Sequence, residues 1–210
     1  VHIIEARHRA PSAYGLDFPF TLPAFLLGDQ TWEQFILSFG DRFSDPEQFR
    51  AWCRRLSGGH ERKRRTEERA RVPFAAYNLR LYRQTFYGIR DILGPLVREK
   101  KARVLPMQSP DLNRPWLMET CPASALKRLD LYGRYKGKEA DHRQNREQIL
   151  SNLLNRKDVD LADPSLQGVF LENTGGDALD SLIAAIIAFW NAPDPVPQST
   201  DDPREGYVYR

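Results

Sequence analysis

Asp177 and Asp180 open the stretch GGDALDSLIAAIIAFW, residues 175–190, in which two glycines release the backbone and an apolar helix follows. Residues three apart on a helix share a face, so both carboxylates can point toward one spot, as a cation-binding pair requires. Aspartates in a first helical turn have another use, which is to cap free N–H groups and complement the helix dipole. The spacing leaves both readings open. Two more acids stand at expected strand ends, a common position for chemistry in α/β folds. Asp17 ends the strand expected in AYGLDFPF, just ahead of Pro19, and Glu119 ends the one in WLMET, just ahead of Cys121-Pro122. Asp17 could instead satisfy backbone donors in the turn before Pro19.

The basic residues cluster as well. From Glu61 to Arg71 the chain carries six basic side chains against three acidic ones. Such a run is either a solvated loop or a phosphate-contacting arm, here through Arg62, Lys63, Arg64 and Arg65. Arg143 and Arg146 lie on a helix expected over 139–155, and Arg80, Arg83 and Arg90 fall off an apolar stripe and could line a groove. Other chemistries find no support. There is no HExxH, GxSxG or GxGxxG, and the four histidines lack zinc-ligand spacing. His142, beside Asp141, reads as a helix-surface residue. Cys53 and Cys121 read as reduced core cysteines. GRYKGKE is one residue short of a P-loop and lacks its Ser/Thr.

The elements that must position these groups follow from local signals. With 210 residues, 41% hydrophobic, the chain suits one domain with a substantial core, and net charge +3 makes no polyelectrolyte argument. No run of 18 apolar residues and no signal-peptide pattern occurs, so a soluble, cytoplasmic protein without a membrane partner is expected. The absence of an initiator Met leads us to expect a missing upstream segment. Strands are expected at 1–8, 13–20, 102–107 and 116–120, with a terminal strand or hairpin arm in EGYVYR. Capping boxes at Thr31/Gln34 and Ser44/Glu47 start two helices, the second with Pro46 in its first turn and stopped by Gly58-Gly59. Leu79, Tyr82, Phe86, Ile89, Leu93 and Leu96 keep a three-four spacing that defines one buried helical stripe. Pro122 suits the first turn of another helix. Residues 156–173 read as a soft loop, and 191–202 as an exposed linker.

LDFPFTLP, NLRLYRQTF, LMETCPAS, YKG, GDALDSLIAAI and EGYVY occur here in that order. In this ordered set the chain resembles an uncharacterised bacterial and archaeal family, domain of unknown function 429, regarded as predicted nucleases of the ribonuclease H-like superfamily. Its last helix is also similar to the DAADALA helix of Holliday-junction resolvases, whose aspartates bind catalytic magnesium. The resemblance implies an α/β fold, a ribonuclease H-like mixed sheet flanked by helices, with residues 47–97 as a helical insertion or cap. It implies nucleic acid as partner and Mg or Mn as cofactor, held by Asp17, Glu119, Asp177 and Asp180. Lys136 matches the family's YK position and, with Arg143 and Arg146, would hold phosphates. Two ions about 4 Å apart could then activate water and stabilise the leaving oxygen. One departure stands out: superfamily members begin with a strand carrying a metal-binding aspartate, whereas Glu5 is the only acid before Ala13. The alternatives are a non-catalytic nucleic-acid- or protein-binding module of the same fold, and a hydrolase of small phosphorylated molecules.

Overall fold

The computed structural model describes residues 12–156, 159–197 and 202–210, so the strand expected at 1–8 lies outside it. Strands β1 (Ala13–Leu16), β2 (Arg103–Leu105) and β3 (Trp116–Glu119) form a sheet in the order β1-β3-β2. Both pairings are parallel, with Leu16 opposite Glu119 and Val104 opposite Leu117. The described strands are therefore all parallel, where a mixed sheet was expected. β3 is central and buried on both faces, which is why Trp116, Leu117 and Met118 run without polar alternation. The chain's end continues its register: Thr120 bridges Tyr209 in parallel. Tyr209 N–H donates to the Glu119 carbonyl at 2.9 Å.

Helices supply the long crossover from β1 to β2, a loop over 106–115 joins β2 to β3, and helices cover both faces of the sheet. One face carries α1 (Ala24–Leu27), α2 (Trp32–Arg42), α3 (Pro46–Leu56), α4 (Arg65–Arg69), α5 (Tyr82–Tyr87) and α6 (Gly94–Arg98). A π-helical segment, Gly88–Leu93, joins the last two. Their core holds Phe35, Phe39, Phe49 and Phe86 and reaches Val104 and Leu117 of the sheet. The other face carries α7 (Pro122–Arg128), α8 (Ala140–Leu154), α9 (Leu166–Glu172) and α10 (Asp177–Asn191). There Ile149, Leu153, Leu179, Ile183 and Ile187 pack with Leu105, Met118 and Tyr209. The 47–97 segment thus contributes a layer of the main core.

Local signals place most boundaries within a residue or two. Thr31 and Gln34 form the expected capping box of α2. For α3 the cap shifts by one: Asp45, not Ser44, accepts from Gln48 N–H, while Pro46 is at N1. The apolar stripe holds from Tyr82 to Leu96, but Leu79 is 66% exposed, because the helix begins after it. The expected soft loop contains α9, a helix with no buried residue. Its short amphipathic pattern gives no periodicity strong enough to read.

One close approach positions the site. A Cβ on Gly15 would lie 2.2 Å from the Ala184 carbonyl oxygen. Only a glycine in β1 lets α10 settle this deeply on the strand. The N-terminal turns of α10 are thereby carried to the carboxyl edge of the sheet, beside Asp17.

Candidate active site

A cleft of about 700 Å³ opens at that edge, walled by three pieces of chain: the ends of β1 and β3, the 67–84 segment, and the 132–136 loop with α8 and α10. Asp17, Glu119, Asp180 and Lys136 all line it; Asp177 does not. Asp17 follows β1 directly and Glu119 closes β3, so neighbouring parallel strands deliver the two acids side by side. Asp17 is held by its backbone, whose carbonyl accepts from Gln84, while Phe18 and Phe20 bury themselves on either side of Pro19.

The acids differ in what already holds them. Glu119 is 4% exposed, and both its oxygens are taken. Oε2 accepts from Phe20 N–H at 2.9 Å and Arg64 Nη1 at 2.8 Å, and Oε1 accepts from Arg64 Nη2. Arg64 is fully buried and also donates to Glu67 Oε1 at 3.0 Å and the Glu205 carbonyl at 3.1 Å. Asp180 is 7% exposed. Its Oδ1 accepts from the Tyr135 hydroxyl at 2.6 Å, and its Oδ2 from Lys136 Nζ at 2.5 Å. Neither helical aspartate caps α10. Gly176 is the N-cap, without a side-chain cap bond, and Asn173 Oδ1 accepts from Ala178 N–H at 3.3 Å. Asp177 is exposed and folds back over Gly175.

Electrostatics single out Asp17. Its carboxyl is pushed up to about 7, by burial first, then by the Asp180 charge, with Lys136 opposing and Glu119 and Asp177 adding. Asp17 touches water on the cleft side although most of its surroundings are protein. Solvent at the exposed side of Asp17 moderates the burial effect, and the neighbouring carboxylates push in the same direction. Lys136 is stabilised in its charged form: burial opposes the charge, but the hydrogen bond and attraction to Asp180 outweigh it. Burial, then Asp180, drives the Tyr135 hydroxyl far up, so it stays a donor. Gly176, at φ 80°, allows this contact, since a Cβ there would stand 2.9 Å from Lys136 Cγ and 3.0 Å from Tyr135 Cε2.

The basic residues are corrected in part. Arg64 is a buried tie between α4, β3 and the C-terminal segment, not a phosphate arm. Lys63 donates to the Val72 carbonyl at 2.6 Å. Arg62 and Arg65 are exposed but do not line the cleft. Arg146, 2% exposed, donates to the carbonyls of Leu171, Tyr135 and Gly137, so it braces the Lys136 loop from behind instead of meeting phosphate. Arg143 spans Glu147 and Glu172 on the surface. The cations that line the cleft are Lys136, Arg80 and Arg134, the last two exposed and without an ion pair among the described residues. Sequence reasoning missed Arg134 and Tyr135, although Tyr135 is the first residue of the YK motif and Arg134 precedes it. His142 also lines the cleft, 18% exposed at the side chain, where helix-surface placement was expected.

No protein-family model, curated protein or solved structure matches this chain. The chemistry of the donors therefore decides what the site fits. Among the described residues, no group of three or more His, Cys, Asp or Glu side chains is arranged to hold a metal ion. Glu119 is held by the fully buried Arg64 guanidinium, whereas the cation on Asp180 is the half-exposed Lys136, which can turn aside, so Asp17 and Asp180 are the acids a cation could share. Two carboxylates are what a hard cation such as magnesium commonly takes from protein, with waters and substrate phosphate completing its shell.

Proposed function

We propose that this cleft hydrolyses phosphodiester bonds of nucleic acid with a divalent cation, Mg or Mn, held by Asp17 and Asp180, in a ribonuclease H-like version of the α/β fold. One observation carries the reading: Asp17 and Asp180, from a strand end and a helix start, share one cleft closely enough for the second to raise the proton affinity of the first. Such repulsion is relieved by a cation. Glu119 and Asp177 drop out as direct ligands, the first bound to Arg64 and the second exposed outside the cleft lining.

Bound between Asp17 and Asp180, such a cation would supply a nucleophilic water at neutral pH and offset phosphate charge. The chain's residues do the rest. Tyr135 donates to Asp180 and orients its carboxylate toward the cleft. Lys136 neutralises Asp180 in the free protein and is placed to turn its ammonium to a phosphate oxygen. Arg80 and Arg134 stand at the cleft for flanking phosphates, and such contacts make binding salt-dependent. Arg64 fixes Glu119 and so the end of β3. The reading as a non-catalytic binding module draws on the Arg64–Glu119 pair and on Asp177 lying outside the cleft lining, which together leave two acids instead of four.

Thermal unfolding with and without Mg²⁺ or Mn²⁺, together with cleavage of labelled oligonucleotides, decides between them. Millimolar metal should raise the melting temperature of the parent and of Asp177→Asn, and much less that of Asp17→Asn or Asp180→Asn, because a ligand stabilises only the state that binds it. Cleavage should vanish in the last two. Equal stabilisation of all four proteins, or none of any, removes the metal site and leaves a binding module.

A further inference from the structure

Two chemically different sets of residues line the cleft: Asp17, Asp180, Lys136 and Arg134 are polar, whereas Phe74, Val72, Leu81, Pro122 and Tyr132 offer largely apolar surface. Hydrolysis of a phosphate needs only the polar set. Solvent-reached aromatics from two separate stretches of chain need another reason. Tyr132 is 52% exposed, and Phe74 is half-buried. Each carries a cation: the Arg80 guanidinium stands 5.4 Å from the Phe74 ring centroid, and Lys127 Nζ 5.0 Å from that of Tyr132. The Lys127 ammonium is pinned there by the Arg71 carbonyl at 2.8 Å.

We infer that the cleft takes a nucleoside phosphate with its base unpaired, the phosphate at the Lys136 end and the base against Phe74 and Tyr132. Aromatic faces beside cations are what proteins offer to unpaired bases, because every base has a π-face to stack. Duplex nucleic acid hides those faces inside its own stack and presents phosphates and groove edges. A cleft of about 700 Å³ accommodates a nucleotide unit inside it, and a duplex could only lie across its mouth. The inference deepens the proposed hydrolysis by naming its substrate, and rests on that reading for the phosphate end alone. An unpaired base can come from a single strand or from a free nucleotide.

Equilibrium binding tests it apart from cleavage. The probes are a fluorescein-labelled oligothymidylate, the same strand annealed to its complement, and a strand of equal length built from abasic residues. They are titrated in EDTA and again in Ca²⁺. Thymidine monophosphate and ribose 5-phosphate compete as free ligands. The oligothymidylate should bind at least tenfold more tightly than its duplex or the abasic strand, and Tyr132→Ala, an exposed position that should not disturb folding, should weaken it roughly 5- to 100-fold. Phe74→Leu, which keeps an apolar filler, should weaken it in the same range. Tightening with strand length points to single strands, whereas thymidine monophosphate binding as well as the oligomer points to free nucleotides; both sustain the inference. Equal affinity for the base-bearing and abasic strands, or no effect of Tyr132→Ala, overturns it. Base-dependent binding without cleavage would sink the hydrolase reading alone, and cleavage with base-independent binding would sink this one alone.

Discussion

Replacing Arg64 by Met gives the sharpest separation between a structural arginine and a phosphate arm. Side-chain exposure is 0% for both Arg64 and Glu67 and 5% for Glu119, so the variant would leave two carboxylates buried without their shared cation. Removing one partner of a buried ion pair costs about 3–5 kcal/mol. A domain's whole stability is about 5–15 kcal/mol, so Arg64→Met should sit near the edge of unfolding. Adding Glu119→Gln should return about 1 kcal/mol or more, since the two residues are directly coupled. The sign with pH follows. Glu67 already has its carboxyl raised, by burial first, with Arg64 pulling it down. Without Arg64, the folded-state pKa of a buried glutamate rises further above its unfolded value. Stability is then present below the unfolded pKa and lost as pH rises through the folded one, so the variant should be firmer at pH 5 than at pH 8 relative to the parent. Urea midpoints of parent, single and double variants at both pH values measure this. An Arg64→Met protein that unfolds at the parent's midpoint, but binds nucleic acid with a shallower salt dependence, would refute the reasoning and restore the arm.

Two further predictions concern the cleft. Gly15→Val should cost about 1–3 kcal/mol or more, because its Cβ would meet backbone rather than a movable side chain, and should also blunt stabilisation by Mg²⁺ as α10 lifts Asp180 away; parallel melting curves test both effects. Asp17 has its folded pKa raised toward about 7, so its contribution to the metal-free protein is full below pH 3.8 and is lost as pH rises through about 7. Asp17→Asn should therefore gain stability over the parent as pH goes from 5 to 8 in EDTA, and parallel pH profiles would sink the assignment.

Sequence alone determined the elements that local rules control. The Thr31–Gln34 box, Pro122 at a helix start, the Tyr82–Leu96 stripe and the apolar run of β3 each act within one short stretch of chain, and each stands where the pattern puts it. It also pointed to acids at two strand ends and a helix start, because proline and glycine mark where those elements stop. Tertiary structure alone decided which acids remain available. Glu119 is claimed by Arg64, 55 residues away, and Asp180 by Tyr135, 45 residues away. No periodicity reports such pairings, since they arise when separate elements pack. Arg64 and Arg62 belong to one basic run, yet one is buried and the other exposed, because α4 docks one side of that run onto the end of β3 and leaves the other in water. Charge type is written in the chain, but the dielectric around each charge is set only by folding.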